Sequence, residues 1–118
     1  MAAVSVVVNS TTGQTIAARA AVADSFWGRL RGLMLRRSLQ EGEGLVLRPC
    51  GSIHMMFMLI SIDAIFFDRD LRVTRVAHRV RPWIGIAFGG KGAKGVIELP
   101  VGAAQGVEPG HQLVLQAQ

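Results

Sequence analysis

The sequence predicts a mainly β fold: an antiparallel sandwich or barrel-like domain with one short α-helix packed on it. Three observations predict it. Eight or nine short runs rich in β-branched and aromatic residues are separated by Gly, Pro and Asp turn signals. Only one stretch carries apolar residues at good helical spacing. No alternating strand–helix rhythm runs along the chain, which excludes a doubly wound nucleotide-binding sheet. The 118 residues make one domain, residues 1–118, long enough to bury a core without disulfides or metal.

The elements follow in order. Val4 to Val8 is short and β-branched, so it reads as a strand. Thr11-Thr12-Gly13 turns the chain, and Gln14 to Ala21 returns as a second strand. The helix is expected between Ala23 and Met34. Asp24 or Ser25 can cap it, and Phe26, Leu30 and Leu33 form its apolar stripe. Gly42-Glu43-Gly44 is a loop before a short strand, Leu45 to Leu47, ended by Pro49. Ile53 to Phe67 is too long for one strand in a small domain, since it would run to roughly 50 Å. It must break, and Leu59 to Ser61 is the expected place. Asp68-Arg69-Asp70 then turns a hairpin between Ile62–Phe67 and Arg72–His78. Glycines 85, 89, 90 and 92 mark a mobile loop around Lys91. Val96 to Leu99 is a strand stopped by Pro100. Pro109-Gly110 turns into the last strand, His111 to Gln116.

Half the residues are hydrophobic and 18% are charged, a globular composition. Cys50 is the only cysteine, so no intrachain disulfide or all-cysteine zinc site can form. No basic signal region and no bilayer-length apolar run is visible. The expected location is therefore cytoplasmic, with no membrane partner. The net charge of +5 and pI near 11.1 raise the question of nucleic acid. No zinc finger, basic helix or aromatic RNA-binding motif accompanies the charge. The expectation is weak, non-specific nucleic-acid association at most. Arg75, Arg79 and Arg81 share strand parity and would line one face if no bulge intervenes.

The chemistry-bearing residues gather in "PCGSIHMMFMLISID", Pro49 to Asp63. His54 sits in an apolar run, where an imidazole must find a partner or lose its charge. It is either a satisfied core histidine or a pocket-lining donor. Cys50 and His54 supply the minimum for thiol catalysis, but the spacing is unspecific. Asp63 lies between Ile62 and Ala64, where a carboxylate needs backbone amides or an arginine. If the chain turns near Leu59–Ser61, His54 and Asp63 become neighbours on paired strands. Met55, Met56 and Met58 form a soft patch, usually core filling. Glu98, in Val96-Ile97-Glu98-Leu99, alternates with apolar residues and would face water or meet Arg29 or Arg31. No phosphate loop, hydrolase triad or metal-ligand spacing is present, and no cofactor is expected.

Three segments, "RLRGLMLRRSL" (29–39), "GLVLRPCGSIHMMFMLISIDAIFFDRD" (44–70) and "VIELPVGAAQGVEPGHQLVL" (96–115), carry a resemblance. In order and spacing the chain resembles the family called domain of unknown function 192, over roughly 17–115. The matching pieces are Arg31 to Met34, Ser52-Ile53-His54, Met58, Ile62-Asp63, Phe66, Glu98-Leu99 and Gly102. Met55 and Ser61 depart from the family's usual hydroxyl residue and proline. The resemblance implies a mainly β fold with one helix and no established activity or cofactor.

The function expected is a small-ligand binding or accessory module. Its pocket would centre on Ser52, His54, Met58 and Asp63, with the Gly85–Gly92 loop as a lid. The alternative is a hydrolase- or transferase-like enzyme using His54 with Cys50 or Asp63.

Overall fold

The computed structural model describes residues 3–23, 38–54 and 58–117, omitting the side chains of Ala3 and His54. The expected helix, Ala23 to Met34, falls almost wholly outside them. Among the described residues the regular structure is β: β1 Ala3–Asn9, β2 Gln14–Ala23, β3 Glu43–Leu47, β4 Ser52–His54, β5 Ile62–Phe67, β6 Val73–Val80, β7 Ile86–Phe88, β8 Gly95–Leu99 and β9 Leu113–Ala117. Residues 58–61 lie outside any strand, so the long apolar run does break where its length requires.

Seven strands form one sheet in the order β6-β5-β8-β3-β2-β1-β9. Every pair is antiparallel except β2 and β3, which run parallel. A parallel pair needs a long connection, and residues 24–42 supply it. The two outer strands meet at one end. Arg72 bridges Gln112, Val73 N–H donates to the His111 carbonyl at 2.9 Å, and Leu113 N–H donates to the Leu71 carbonyl at 2.8 Å. The sheet thus curls nearly into a barrel, which covers part of its edges.

Two apolar layers result. The inner one draws on all seven strands, through Val7, Ile16, Val46, Ile65, Val73, Ile97 and Leu113 among others. Ala104 and Val107 join it from the connection after β8. The outer layer covers the other face of β3, β8, β5 and the end of β6. It contains Leu45, Leu47, Ile62, Ala64, Phe66, Val80 and Val96, packed with Ile53 of β4, Ala87 of β7 and Met58. Strands β5 and β8 are therefore buried on both faces along their whole length. That is why they read as continuous apolar runs.

The hairpin turn forms as expected. Asp68 Oδ1 accepts from the Asp70 and Arg72 amides at 2.8 and 3.0 Å. Gly95, where β8 begins, shows how tight the packing is. A Cβ there would overlap the Phe67 ring and lie 3.1 Å from the Leu47 carbonyl oxygen. Phe67 is buried in the inner layer and has no room to retreat. Gly95→Ala should therefore lower unfolding free energy by roughly 1–3 kcal/mol in urea melts, as overpacking does. An unchanged midpoint would mean that Phe67 can move.

Two expectations are corrected by the fold. The segment taken for a mobile loop holds β7, which pairs with β4 in a separate two-stranded sheet. Gly89 N–H donates to the Gly51 carbonyl, and the Thr74 hydroxyl donates to the Gly89 carbonyl, both at 2.8 Å. The parity of Arg75, Arg79 and Arg81 is broken by a bulge. Ile62 pairs with Val80 but Ala64 pairs with Ala77, so one extra residue of β6 is accommodated at His78–Arg79.

A candidate binding site built around Glu98

β8 lies between β3 and β5, and its register decides where Glu98 points. Glu98 pairs with Leu45 on one side and Ala64 on the other. Cross-strand partners share a face, and Leu45 and Ala64 both belong to the outer layer. So the Glu98 side chain lies on the face that carries Ile53 and Met58. It does not face water: only 5% of the residue is exposed. The strict alternation expected for a half-solvated strand fails because a second layer covers this face.

An ionised carboxylate in such a wall is costly without fixed donors. No hydrogen bond or ion pair to the Glu98 carboxyl is seen among the described residues, and Arg29 and Arg31, the partners considered for it, lie outside them. Burial accordingly pushes its pKa up to about 7. At neutral pH the group is poised between a hydrogen-bond-donating acid and an anion.

The four strip residues are divided by the fold. Ser52 is exposed at the start of β4, opposite Phe88. The backbone of His54 pairs with Ile86. Met58 is buried in the outer layer. Asp63 points the other way. It follows Ile62 and precedes Ala64, both outer-layer residues, so it lies on the inner face of β5. The pairing that would have made His54 and Asp63 neighbours does not form. β4 pairs with β7, while β5 pairs with β6 and β8.

Asp63 is 1% exposed and fully engaged. Its Oδ1 accepts the Arg79 amide at 2.9 Å, and its Oδ2 accepts the amides of Gly102 at 2.9 Å and Ala104 at 3.2 Å. His78 Nδ1 stands 3.6 Å from Oδ2. Arg79 has a positive φ of 51°, so the bulge turns its N–H onto the carboxylate. One side chain thereby pins both the β6 bulge and the turn that sends Ala104 and Val107 into the inner layer. Asp63 is an architectural anchor beneath the site, not a wall of it.

Cys50 is half-buried beside the outer layer, and its thiol donates to the Ser52 carbonyl at 3.0 Å. Among the described residues no three His, Cys, Asp or Glu side chains gather in a way that could hold a metal. A cleft of about 520 Å³ opens elsewhere, between Gln14–Ala18, Glu41–Gly42 and Pro100–Ala103. Of its polar liners, Thr15 and Glu41 are exposed, and the Gln14 side-chain amide donates to the Gln105 carbonyl at 3.3 Å. It therefore lacks the desolvated group that distinguishes Glu98.

Fold and site together define a class: a small, nearly closed β-sheet domain whose outer face, covered by a short second sheet, holds, among the described residues, one buried carboxyl. The chain belongs to the domain of unknown function 192 family, "Uncharacterized ACR", whose model matches residues 7–115. It is 42% identical over 99 residues to a UPF0127 protein of Thermococcus sibiricus, covering 80% of this chain and 63% of that one. A UPF0127 protein of Pyrococcus horikoshii is 35% identical over 106 residues, covering 87% and 90%. The chain thus spans just under two thirds of the Thermococcus sibiricus relative and nearly all of the Pyrococcus one. Among solved structures, a protein of unknown function from Novosphingobium aromaticivorans superposes with a TM-score of 0.79 at 26% identity, covering 93% of this chain and 83% of that one. A Sinorhizobium meliloti protein described as a candidate transcription regulator gives 0.83 at 22% identity, covering 97% and 95%. At that identity the likeness speaks to the fold alone.

Proposed function

We propose that this protein is a non-catalytic, cytoplasmic small-ligand-binding module, and that the outer face of β3, β8 and β5 is its binding wall. Glu98 is the polar anchor of the site. Met58 and Ile53 supply apolar lining; Ser52, opposite the outward-facing Phe88, lies on the far side of β4 and is no part of this wall. The observation that carries this reading is the Glu98 carboxyl, buried on an apolar face with no described partner. Ligand pockets combine such a wall with a few convergent polar groups. The enzyme alternative loses one of its members, because both oxygens of Asp63 are held by backbone amides.

The chemistry of the anchor selects the ligand class. A compact apolar molecule bearing an amine would pair with the ionised carboxylate and relieve its desolvation. Binding should then strengthen as pH rises through about 7. Below that value a proton must first leave, and affinity should fall by up to about tenfold per pH unit. A panel of small apolar primary amines, with matched alcohols as controls, tests this by thermal shift at pH 6 and pH 8. Amines should raise the melting temperature more at pH 8, and Glu98→Gln should abolish the response. Equal shifts by amines and alcohols, or shifts unchanged in Glu98→Gln, would refute the site.

A further inference from the structure

A second surface, independent of Glu98, stands out on the outward side of the β4–β7 sheet. Strand β7 alternates: Ala87 is buried against the outer layer while Ile86 and Phe88 point away, 63% and 62% exposed. The turn before it adds Trp83 at 50% and Ile84 at 75%. Four large apolar side chains within six residues thus face solvent. Scattered exposed hydrophobics are ordinary, but a contiguous set marks an interaction surface.

The turn is built to hold this presentation. Trp83 has a φ of +67°, a conformation that bulky residues rarely adopt. Gly85 N–H donates to the Arg81 carbonyl at 3.0 Å, and Ile84 N–H donates to the Pro82 carbonyl at 2.8 Å. A Cβ at Gly85 would collide with that same Arg81 carbonyl, so the tight closure depends on glycine.

Charge identifies the occupant. From Leu71 to Ile97 the chain carries Arg72, Arg75, Arg79, Arg81, Lys91 and Lys94 and no Asp or Glu. Arg75 lies against the patch, its Nη1 donating to the Phe88 carbonyl at 3.4 Å. Arg81 closes the turn, and Lys91 follows β7 by three residues. Arg75, Arg79, Arg81 and Lys91 have no acidic partner among the described residues.

We propose that Trp83, Ile84, Ile86 and Phe88, flanked by Arg75, Arg81 and Lys91, dock this protein on an anionic lipid surface. Projecting apolar tips enter the headgroup boundary, and the basic side chains meet lipid phosphates. A second copy of the chain fits poorly, because two such faces would oppose like charges. Nucleic acid fits poorly as well. Single-strand sites stack bases on aromatic rings, and the two most exposed side chains here are isoleucines. The sequence pointed away from membranes because no segment is long enough to span one. Lying against a bilayer requires only this surface.

The test uses the whole chain and sedimentation with sucrose-loaded vesicles. Phosphatidylcholine vesicles are compared with phosphatidylcholine–phosphatidylglycerol vesicles at low and high salt. The protein should pellet with the anionic vesicles and be released by salt. Ile84→Ser with Phe88→Ser should weaken binding at least tenfold, roughly, through the lost apolar burial. Arg81→Glu with Lys91→Glu should weaken it by about fivefold or more for each charge removed. All four side chains are exposed, so melting temperatures should stay near wild type. No pelleting, or pelleting indifferent to the Ile84→Ser/Phe88→Ser pair, would overturn the proposal. So would these same substitutions abolishing self-association or oligonucleotide binding while vesicle binding survives.

Discussion

Asp63→Ala is expected to remove about 3–5 kcal/mol of stability, a large share of what a domain of this size possesses. Three backbone amides, from Arg79, Gly102 and Ala104, would lose their buried carboxylate acceptor. Two of them lie in the turn that carries Ala104 and Val107 into the inner layer, so the layer should loosen with them. Asp63→Asn is a stricter probe, being nearly the same size. One of its oxygens becomes an NH₂ group. Facing Oδ2's position, it would point donors at the Gly102 and Ala104 amides; flipped, it would point them at Arg79. The asparagine variant should therefore lose most of what alanine loses. Urea unfolding checks both. A loss under about 1 kcal/mol for either would show that the amides find other acceptors.

The second large effect concerns Glu98 and has the opposite sign. Its pKa is raised from 4.5 in the unfolded chain to about 7 in the fold. The native state therefore holds a proton that the unfolded state has released between those values. Stability linked to this group is fully present below about 4.5, declines as pH rises, and is lost once pH passes about 7. The loss amounts to about 3 kcal/mol by the usual linkage conversion. Glutamine has the same shape and no proton to lose. Glu98→Gln should therefore be more stable than wild type at pH 8 by up to about 3 kcal/mol, and close to it at pH 5. Parallel urea melts at the two pH values decide this. A glutamine variant less stable than wild type at pH 8 would mean that the carboxylate is ionised and well paired there.

Much of the strand layout was readable because strand length and turn chemistry are local properties. Ile62–Phe67 lies where the run of apolar residues and the Asp68 turn put it. The break before it followed from length alone, without the proline that the family often has. That Asp63 would be held by fixed donors was also readable, since a carboxylate among Ile, Ala and Phe has few alternatives; that they are amides and not an arginine was not. What failed was parity at long range. Glu98 looked like the polar member of an alternating strand because the second layer over it is contributed by residues far away in sequence. The His54–Asp63 pairing failed because adjacency in sequence suggested a hairpin. Instead β8 took the place beside β5, and β4 paired with β7. The His78–Arg79 bulge left no mark in composition. The partial closure through Arg72 and Gln112 depends on the curl of the whole sheet. The exposed β7 face was hidden for a similar reason: Gly85 and Gly89 read as flexibility, whereas here they allow close packing that a Cβ would block.

The central claim is that Glu98 is a desolvated carboxyl on the covered outer face of the sheet. A carbon-13 NMR titration of the Glu98 side-chain carboxyl tests it most directly, with the assignment made by its loss in Glu98→Gln. The account predicts a single transition with a midpoint near 7, moving toward lower pH when an apolar amine is bound. A midpoint at or below 4.5, the value of a solvated glutamate, would show that the group is hydrated or paired and would contradict the site.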